Sequence, residues 1–474
     1  MLKRVFIIII ALISTLGVTT HASSWDVARG AQMPEHIGHD MGAVGHDMSS
    51  VGHDAVLGTW KGSISAQGQR LEMYFTIQEV DGTLTAYMSV PSQGVKGMLL
   101  EKASFDGFNL ILEHSPIQMK YSGKLIMGTF TGTFSQYGME FPMALTKGEI
   151  PIAKRPQEPQ RPYPYIEREV VFSNDKAGIR LAGTLTLPFG NGPFPGVVLV
   201  SGSGYQNRDE ELMEHKPFLV IADALTRCGI AVLRYDDRGV GESEGITQGN
   251  TTEDLSWDAQ AALHYLKSCP EISSAGIAGH SEGGAIAFIV AARDHECDFV
   301  ISLAGPGMRG DKVLLSQQKA IYTASGIPTP QVEQIVAGNK ILFDMVLASE
   351  SNDEALRAKI SSVLPGQQEA WEQILNPWMY YFIKYDPTAD IRGVKVPMLA
   401  LNGTMDLQVI CDSNLDAIAA ANPQAKIVKF EGLNHLFQHC STGLPTEYSQ
   451  IEETIAPEVL EEIIGFITTF AAAK

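Results

Sequence analysis

From about residue 166 onward, the sequence alternates between short apolar runs and amphipathic segments. "PGVVLVSGSG", "SAGIAG", "FVISLAGP" and "VPMLALNG" predict buried strands, while "PFLVIADALTRCG" and "TEDLSWDAQAALHYLKSC" have helical spacing. Strands that alternate with helices predict a parallel sheet of the α/β class. "REVVF" and "IRLAGTLTLP" predict an antiparallel pair that opens the sheet. Residues 308–390 interrupt this rhythm, and we expect them to form a helical insertion over the sheet's C-terminal edge, where such sheets bind ligands.

Residues 56–149 have a different pattern, in which apolar and polar residues alternate. Leu71, Met73, Phe75 and Ile77 are followed by Asp81-Gly82 and a second alternating run, which is a hairpin signature. We expect a small antiparallel sandwich or barrel. It carries no cluster of catalytic residue types. We expect a carbohydrate- or lipid-binding module, a packing module, or a dimerisation module through which the chain forms a homo-oligomer. Residues 150–165 contain five prolines and predict a semi-rigid linker.

The first 22 residues have the features of an export signal. Lys3 and Arg4 precede an apolar stretch, and Thr20 and Ala22 occupy the small-residue positions of a cleavage site. We therefore predict a chain that is cleaved after residue 22 and is periplasmic or secreted, with no stable membrane insertion after cleavage. The alternative is an uncleaved anchor, which the shortness of the apolar run disfavours.

Residues 23–55 contain the unit Gly-His-Asp three times, seven residues apart. His39, His46 and His53 are its histidines, and Met41 and Met48 follow two of them. His, Asp and Met together could bind a transition metal. The favoured interpretation is a flexible linker, because so many glycines would prevent a helix from keeping the repeat on one face.

The composition argues against nucleic acid as a partner, but it does not decide whether the cysteines form disulfides. The 474-residue chain has a net charge of −19, which argues against nucleic acid, since phosphate binding requires clustered Lys and Arg. Its five cysteines are an odd number without a dense framework. Cys411 lies five residues after Asp406, and Cys440 five after His435. If those two loops meet, a disulfide between them is one hypothesis.

The segment "AGIAGHSEGGAIAF" places Ser281 between a predicted strand and a predicted helix. In such a tight turn, Gly279 and Gly283 remove side chains that would clash, and Gly284 lets the helix approach the strand. A serine hydroxyl needs a base, and that base needs an orienting carboxylate. Such a strand–serine–helix turn therefore predicts a nucleophile, provided that the rest of the chain supplies its partners.

Two downstream loops supply those partners in the order Ser, acid, His. Asp406 follows the strand "VPMLALNG", and His435 lies in the loop after the last predicted strand. His439 is a rival base because it is four residues away, whereas Asp412 and Asp416 are expected on a solvated helix. We predict that Ser281, Asp406 and His435 form a catalytic triad.

The oxyanion that forms during acyl transfer needs two N–H donors. We expect them to be the backbone N–H groups of Glu282, directly after the nucleophile, and of Ser203, in the turn after "VVLV". The Glu282 carboxylate should then turn away, to solvent or to a cation such as Arg208 or Arg309. In "YDDRGVGES", Arg238 is expected to pair with Asp236 or Asp237 in a structural role.

Residues 166–474 resemble the α/β-hydrolase superfamily, in its bacterial exported esterase and serine-aminopeptidase-like branch. The resemblance rests on "SGSGYQNRDE", "VLRYDDRGVGES", "GHSEGG", "LALNGTMDLQV" and "GLNHLFQ", and on a β domain ahead of the hydrolase. It implies Ser281 as nucleophile, Asp406 as acid and His435 as base. One departure is Ser201, which stands where many relatives have His, so the second oxyanion donor is less defined.

These observations favour hydrolysis of a small-molecule carboxylic ester through an acyl-enzyme, with short acyl chains and without a metal or organic cofactor. Trp378, Tyr380 and Phe382 of the insertion are expected to line the acyl pocket, or else to pack within the insertion. The alternative is a serine aminopeptidase or amidase, in which Glu282, Asp237 or Glu210 would receive the substrate's amine. A third interpretation is a binding protein that uses the hydrolase fold as a scaffold.

Overall fold

The computed structural model describes residues 53–66, 69–93, 95–151, 154–366 and 368–473. These residues divide into two compact units, one ending at about residue 151 and the other beginning at about residue 154. In the described residues, no helix combines the length and apolar character needed to cross a membrane. His39 and His46 of the repeat lie outside the described residues, and the His53 Nδ1 atom is 2.8 Å from Glu79 Oε2.

The N-terminal unit is one antiparallel sheet. Its nine strands are β1 Gly58–Ala66, β2 Gln69–Val80, β3 Thr83–Val90, β4 Val95–Leu99, β5 Lys102–Phe105, β6 Asn109–His114, β7 Met119–Ile126, β8 Thr129–Gln136 and β9 Met139–Lys147. The spatial order is β4-β3-β2-β1-β9-β8-β7-β6-β5.

The predicted hairpin is confirmed, since Asp81 and Gly82 both have positive φ between β2 and β3. The sheet curls on itself, because β5, the last strand in the spatial order, contacts β3, the second strand in that order. Trp60, Phe75 and Phe130 are fully buried inside the curl. Of the two predicted architectures, the structure therefore has the barrel-like one.

The C-terminal unit contains an eight-stranded sheet. Its strands are β10 Ile166–Asn174, β11 Ile179–Leu187, β12 Phe194–Val200, β13 Ala231–Tyr235, β14 Ile272–His280, β15 Val300–Leu303, β16 Met398–Gly403 and β17 Lys426–Phe430. They lie in the order β10-β11-β13-β12-β14-β15-β16-β17. The opening pair is antiparallel as predicted, and the strands from β13 to β17 are parallel.

Twelve helices are described in this unit. They are α1 Pro217–Arg227, α2 Thr252–Ser268, α3 Glu282–Arg293, α4 Gly310–Ala324, α5 Thr329–Leu347, α6 Glu354–Val363, α7 Gln368–Ile374, α8 Pro377–Lys384, α9 Thr388–Gly393, α10 Cys411–Ala421, α11 Pro445–Tyr448 and α12 Pro457–Ala473.

The helices cover both faces of the sheet. Apolar side chains of α2, α3, α9 and α10 pack on one face, and those of α1 and α12 pack on the other. Helices α4 to α9 form the predicted insertion between β15 and β16, with a separate apolar cluster around Phe343, Trp371 and Phe382. Burial of both faces explains why the parallel strands read as continuous apolar runs. The fold is the expected one, an α/β-hydrolase domain with a helical insertion after an all-β domain.

The proline-rich segment before this unit is anchored to it. Arg155 donates to the backbone carbonyls of Glu214, Ser449 and Ile451, each at 2.9 Å. Gln157 receives the Thr454 N–H at 2.6 Å. This part of the predicted semi-rigid linker is therefore packed against the C-terminal unit. The spacing of the prolines does not predict this packing, because it depends on hydrogen bonds between polar side chains and distant backbone groups.

Candidate active site

Ser281 lies at the turn between β14 and α3. It is not a glycine, yet its φ is 53° and its ψ is −119°. Such a conformation costs on the order of 1–3 kcal/mol and persists only where the surroundings enforce it. Its N–H donates to the Leu303 carbonyl of β15 at 2.8 Å, which fixes the turn to the neighbouring strand. The strained turn presents the serine at the carboxyl edge of the sheet.

The glycines around Ser281 are required by close backbone contacts. A Cβ on Gly279 would collide with the backbone of Gly283, and one on Gly283 with the carbonyl of Val200. A Cβ on Gly284 would lie 2.7 Å from the Cα of Gly305. The clashes expected from the sequence are therefore present, and they allow α3 to begin directly behind the serine.

Asp406 and His435 lie on neighbouring loops at the same edge of the sheet. His435 Nδ1 is 2.7 Å from Asp406 Oδ2, and both side chains are almost fully buried. The other carboxylate oxygen accepts the N–H groups of Gln408 and Val409 at 2.7 and 2.9 Å. Three hydrogen bonds hold the carboxylate, which fixes Nδ1 as the ring's donor and leaves Nε2 available as a base.

Ser281 and His435 line the same small cavity. The wall of the cavity is formed by the loops after β12, β16 and β17, by the turn at Ser281 and by helix α11. The residues that line it are Gly202, Ser203, Gln206, Glu210, Leu212, Met213, His280, Ser281, Gln408, His435, Pro445 and Tyr448. The structure thus brings the predicted nucleophile and base together, with the acid behind the base.

The rival candidates lie elsewhere. His439 is half-exposed and contacts Glu453 at 2.9 Å and Glu458 at 3.3 Å. Asp412 and Asp416 are exposed on α10 and face Lys429. These are exposed side chains paired at the surface, where such pairs are solvated, and they are not part of the cavity at Ser281.

The two predicted oxyanion donors occupy suitable backbone positions. Glu282 is the first residue of α3, so its N–H has no partner within the helix. Ser203 lines the cavity, while the preceding Gly202 N–H is occupied by Glu210 Oε1 at 2.6 Å. A Cβ on Gly202 would lie 3.1 Å from the Ser281 Cβ, so this turn passes directly beside the serine. The geometry is compatible with Ser203 as the second donor.

Comparison with known proteins finds similarity to hydrolases over the C-terminal part of the chain. The family model described as serine aminopeptidase, S33, matches residues 214–438, which include Ser281, Asp406 and His435. The matched residues, which are just under half of the chain, are similar to this family. Esterase EstD of Thermotoga maritima is 28% identical to this chain over 305 residues, which cover 63% of this chain and 68% of that protein.

Two solved structures are similar to this chain at lower identity. The esterase PF2001 of Pyrococcus furiosus shares 15% identity at a TM-score of 0.41, covering 69% of this chain and 99% of its own. Est1E of Butyrivibrio proteoclasticus, solved with ferulic acid, shares 16% at a TM-score of 0.41, covering 64% and 98%.

The Glu282 carboxylate does not turn to a cation. It is buried, and its Oε1 accepts hydrogen bonds from Thr252 Oγ1 at 2.6 Å and from Trp378 Nε1 at 2.7 Å. Burial raises the pKa of Glu282, and these hydrogen bonds only partly offset that effect. The carboxyl beside the predicted oxyanion site is therefore held by neutral donors.

The cations proposed from the sequence have other partners. Arg208 is 2.7 Å from Asp236 Oδ2, and Arg309 is 2.6 Å from Asp311 Oδ1. Arg238 pairs with Asp258 at 2.6 Å rather than with Asp236 or Asp237. Asp258 lies on α2, far away along the chain, so sequence proximity gave the wrong partner.

Asp237 is buried below the oxyanion turn. It accepts hydrogen bonds from Ser201 Oγ and from the Gln206 N–H, each at 2.9 Å. Burial raises its pKa to about 8, and these two hydrogen bonds act in the opposite direction. This side chain anchors both ends of the turn that carries Ser203.

The predicted acyl pocket requires a correction. Trp378, Tyr380 and Phe382 are absent from the wall of the cavity beside Ser281 in the described part of the chain. Phe382 is buried in the core of the insertion and stacks on Trp378, and the Tyr380 hydroxyl is 3.0 Å from Ser349 Oγ. Of these three residues, only Trp378 contacts the turn at Ser281, through its hydrogen bond to Glu282. Because α8 packs with one face inward, neighbouring aromatics serve the core of the insertion instead of the cavity.

The proposed disulfide is also absent from this structure. Cys411 and Cys440 are both free, and Cys440 Sγ is 3.4 Å from the Gly432 carbonyl. Their loops are neighbours, since the Met405 N–H donates to the Leu433 carbonyl at 2.9 Å. Neighbouring loops do not by themselves supply the Cα spacing of a disulfide.

Sequence reasoning missed most of the cavity wall. Leu212 and Met213 lie in an irregular loop, and Pro445 and Tyr448 come from a tail segment with no recognisable catalytic pattern. Two contacts hold Tyr448 in place. Its hydroxyl accepts a hydrogen bond from Gln408 Nε2 at 3.1 Å, and its backbone carbonyl oxygen lies 2.9 Å from His215 Nε2. The tail thus contributes to the site through tertiary packing.

Proposed function

We propose that this α/β-hydrolase cleaves carboxylic esters by a serine mechanism. The observation that carries the proposal is the arrangement at one cavity, where the strained Ser281 turn meets His435, whose ring is bonded to Asp406 at 2.7 Å. The match to Esterase EstD supports an ester substrate. Apolar side chains of Leu212, Met213 and Pro445 offer a surface for a short acyl group.

The reaction follows from the roles of these groups. Ser281 Oγ attacks the acyl carbon while His435 Nε2 takes the hydroxyl proton, and Asp406 stabilises the resulting imidazolium. The Glu282 and Ser203 N–H groups receive the oxyanion, and losing one such donor typically costs about 10²–10³ in rate. The imidazolium then gives its proton to the departing alcohol. Water, deprotonated by His435, releases the acid from Ser281.

The aminopeptidase alternative is less well supported. An amine-binding site needs a carboxylate open to the substrate, yet Glu210, Asp237 and Glu282 are all buried and already accept hydrogen bonds from protein groups. Their burial and their existing contacts with protein groups disfavour a role as an open binding site for a substrate amine.

A substrate panel tests this choice. p-Nitrophenyl esters of increasing acyl length are compared with aminoacyl p-nitroanilides, using the full chain and Ser281→Ala. We expect turnover of short esters only, and none in the variant. Preferential turnover of the anilides would contradict the ester assignment.

We also propose export through cleavage after residue 22, because a basic start, an apolar run and a small-residue site follow one another there. Mass spectrometry of protein recovered from the periplasm or medium should find a mature N-terminus at residue 23. Retention of residues 1–22 in recovered protein would contradict the proposal.

Self-association through the β unit is a further proposal. Phe108 is 72% exposed, Met127 is fully exposed, and the Leu125 N–H donates to the Phe108 carbonyl, so these apolar side chains lie near each other. Light scattering should then give the mass of a dimer, which falls to that of a monomer in Phe108→Ser. A monomeric full-length chain would contradict it.

A further inference from the structure

Glu210 is a buried carboxylate that the mechanism above does not use. It is 2% exposed and belongs to the loop between β12 and α1. Its Oε1 accepts the Gly202 N–H at 2.6 Å and lies 2.9 Å from His280 Nδ1. One oxygen therefore contacts both the turn that carries Ser203 and the residue directly before Ser281.

His280 extends this connection to a third loop. Its Nε2 lies 3.0 Å from the backbone carbonyl of His435, and the two imidazole rings are 4.8 Å apart. A carbonyl can only accept, and an ionised carboxylate can only accept, whereas a neutral imidazole has a single N–H. With Glu210 acting purely as an acceptor, both contacts are hydrogen bonds at once only if His280 is an imidazolium.

The charges around His280 favour this state. Burial lowers the pKa of His280, but the charge and hydrogen bond of Glu210, the His435 carbonyl and the charge of Asp406 outweigh it, so that the pKa is raised overall. Asp237 also lies close enough to Glu210 for their charges to interact. The other ring packed against His280 is that of His435.

The loop that delivers Glu210 is strained. Glu210, Met213 and Glu214 all have positive φ, at 50°, 50° and 68°. Such conformations in non-glycine residues concentrate at functional sites. Arg155 holds this segment by donating to the Met213 and Glu214 carbonyls at 3.3 and 2.9 Å. The fold thus enforces a conformation whose result is the placement of one carboxylate beside Ser281.

We propose that Glu210 is a positioning residue of the active site. Its carboxylate anchors the predicted oxyanion turn through Gly202 and, through the His280 ring, fixes the backbone of the base His435. This inference rests on the proposed serine mechanism and adds a residue that acts on its geometry through the Gly202 N–H and the His280 ring. Loss of the carboxylate would loosen the Ser203 N–H and the His435 ring together, and small misplacements of catalytic groups are costly.

Two variants of the full chain separate charge from anchoring. Glu210→Gln keeps an acceptor oxygen for Gly202 but removes the charge opposite His280, whereas Glu210→Ala removes both. Glu211→Gln, at the exposed neighbouring position, makes the same chemical change as a control. Thermal unfolding of each variant establishes that it is folded.

We expect kcat on short p-nitrophenyl esters to fall about tenfold in Glu210→Gln and about 100-fold in Glu210→Ala, with KM within about threefold, since the loss is one of transition-state stabilisation. The alkaline limb of the kcat profile should move at least about one pH unit lower in Glu210→Gln, because an opposite charge at this distance shifts a pKa by about 1–3 units. A role in stability alone would lower the unfolding temperature and leave this limb in place.

A measurement on the unmodified chain keeps the proposal falsifiable if a variant fails to fold. ¹⁵N NMR of the His280 ring should find both nitrogens protonated near neutral pH. A singly protonated ring would overturn the proposal, as would a Glu210→Gln enzyme whose kcat and pH profile equal those of the original chain.

Labelling of Ser281 by a fluorophosphonate distinguishes failure of this inference from failure of the proposed function. If esters are not turned over but labelling is rapid, the ester assignment fails, and slower labelling in Glu210→Gln still supports the role of Glu210. If the original chain is not labelled, both are overturned.

Discussion

At the residue scale, three buried carboxyl groups outside the predicted triad hold the turns near Ser281, and each has a different partner. Glu210 faces His280, Asp237 accepts Ser201 and Gln206, and Glu282 accepts Thr252 and Trp378. From the sequence, each was a candidate for binding a substrate amine. The structure instead has them organising the turns around the serine, since none is open to solvent.

Replacing Asp237 by Asn should change how stability depends on pH. The folded carboxyl has a pKa of about 8 and the ordinary value is 3.8, so the native chain binds this proton more tightly. The resulting stability is present below the lower value and is lost as the pH rises through the higher one. Asn mimics the protonated form, because its oxygen can accept the Gln206 N–H and its amide can donate to Ser201.

We therefore expect the free energy of unfolding of Asp237→Asn, relative to that of the original chain, to increase by up to about 4 kcal/mol as the pH rises from about 5 to about 8. Denaturant unfolding of both chains across this range measures the difference. Asp416→Asn, at an exposed position, should show no such gain. A stability difference between Asp237→Asn and the original chain that is independent of pH would contradict the buried, protonated carboxyl.

At the element scale, a side chain of the insertion contacts the residue directly after Ser281. Trp378 of α8 stacks on Phe382 at 5.6 Å between ring centroids and donates its indole N–H to Glu282. Helix α8 thereby contacts the first residue of α3, whose backbone N–H is a predicted oxyanion donor. The position of the insertion is thus coupled to the oxyanion site.

Trp378→Phe keeps an aromatic ring for stacking but removes the donor to Glu282. We expect a loss of about 1–3 kcal/mol in stability, since a buried acceptor loses one of its two partners, and a several-fold fall in kcat/KM. Tyr380→Phe is the matched control. Tyr380 lies on the same helix as Trp378, but its hydroxyl contacts Ser349 and not Glu282. Equal effects of the two substitutions on kcat/KM would contradict a specific coupling through Glu282.

The elements near Ser281 were the most predictable part of the chain. Strand β14 and helix α3 follow from local patterns, because both faces of the sheet are covered and the glycines mark backbone contacts. The aromatic residues of α8 were not predictable in the same way, since helical spacing does not say whether a face meets a cavity or the core of the insertion. The barrel-like β unit was partly predictable. The alternation of apolar and polar residues predicts its strands, but it does not predict that the sheet curls on itself.

At the scale of the whole molecule, the order Ser281, Asp406, His435 along the chain was sufficient to predict which loops meet at the sheet edge. The partners of Glu210, Arg155 and Tyr448 were not predictable, because each contact joins segments far apart in sequence through irregular backbone. The β unit carries none of the predicted catalytic residues, so the proposed chemistry belongs to residues 154–473.

The central claim is that Ser281 is a nucleophile activated by His435 and Asp406. The most direct test treats the full chain with a fluorophosphonate and maps the modified peptide by mass spectrometry. The account predicts one covalent adduct, on Ser281, which is absent in Ser281→Ala and forms at least about 100-fold more slowly in His435→Ala. An unmodified Ser281 in a folded chain, or equally rapid labelling in His435→Ala, would contradict it.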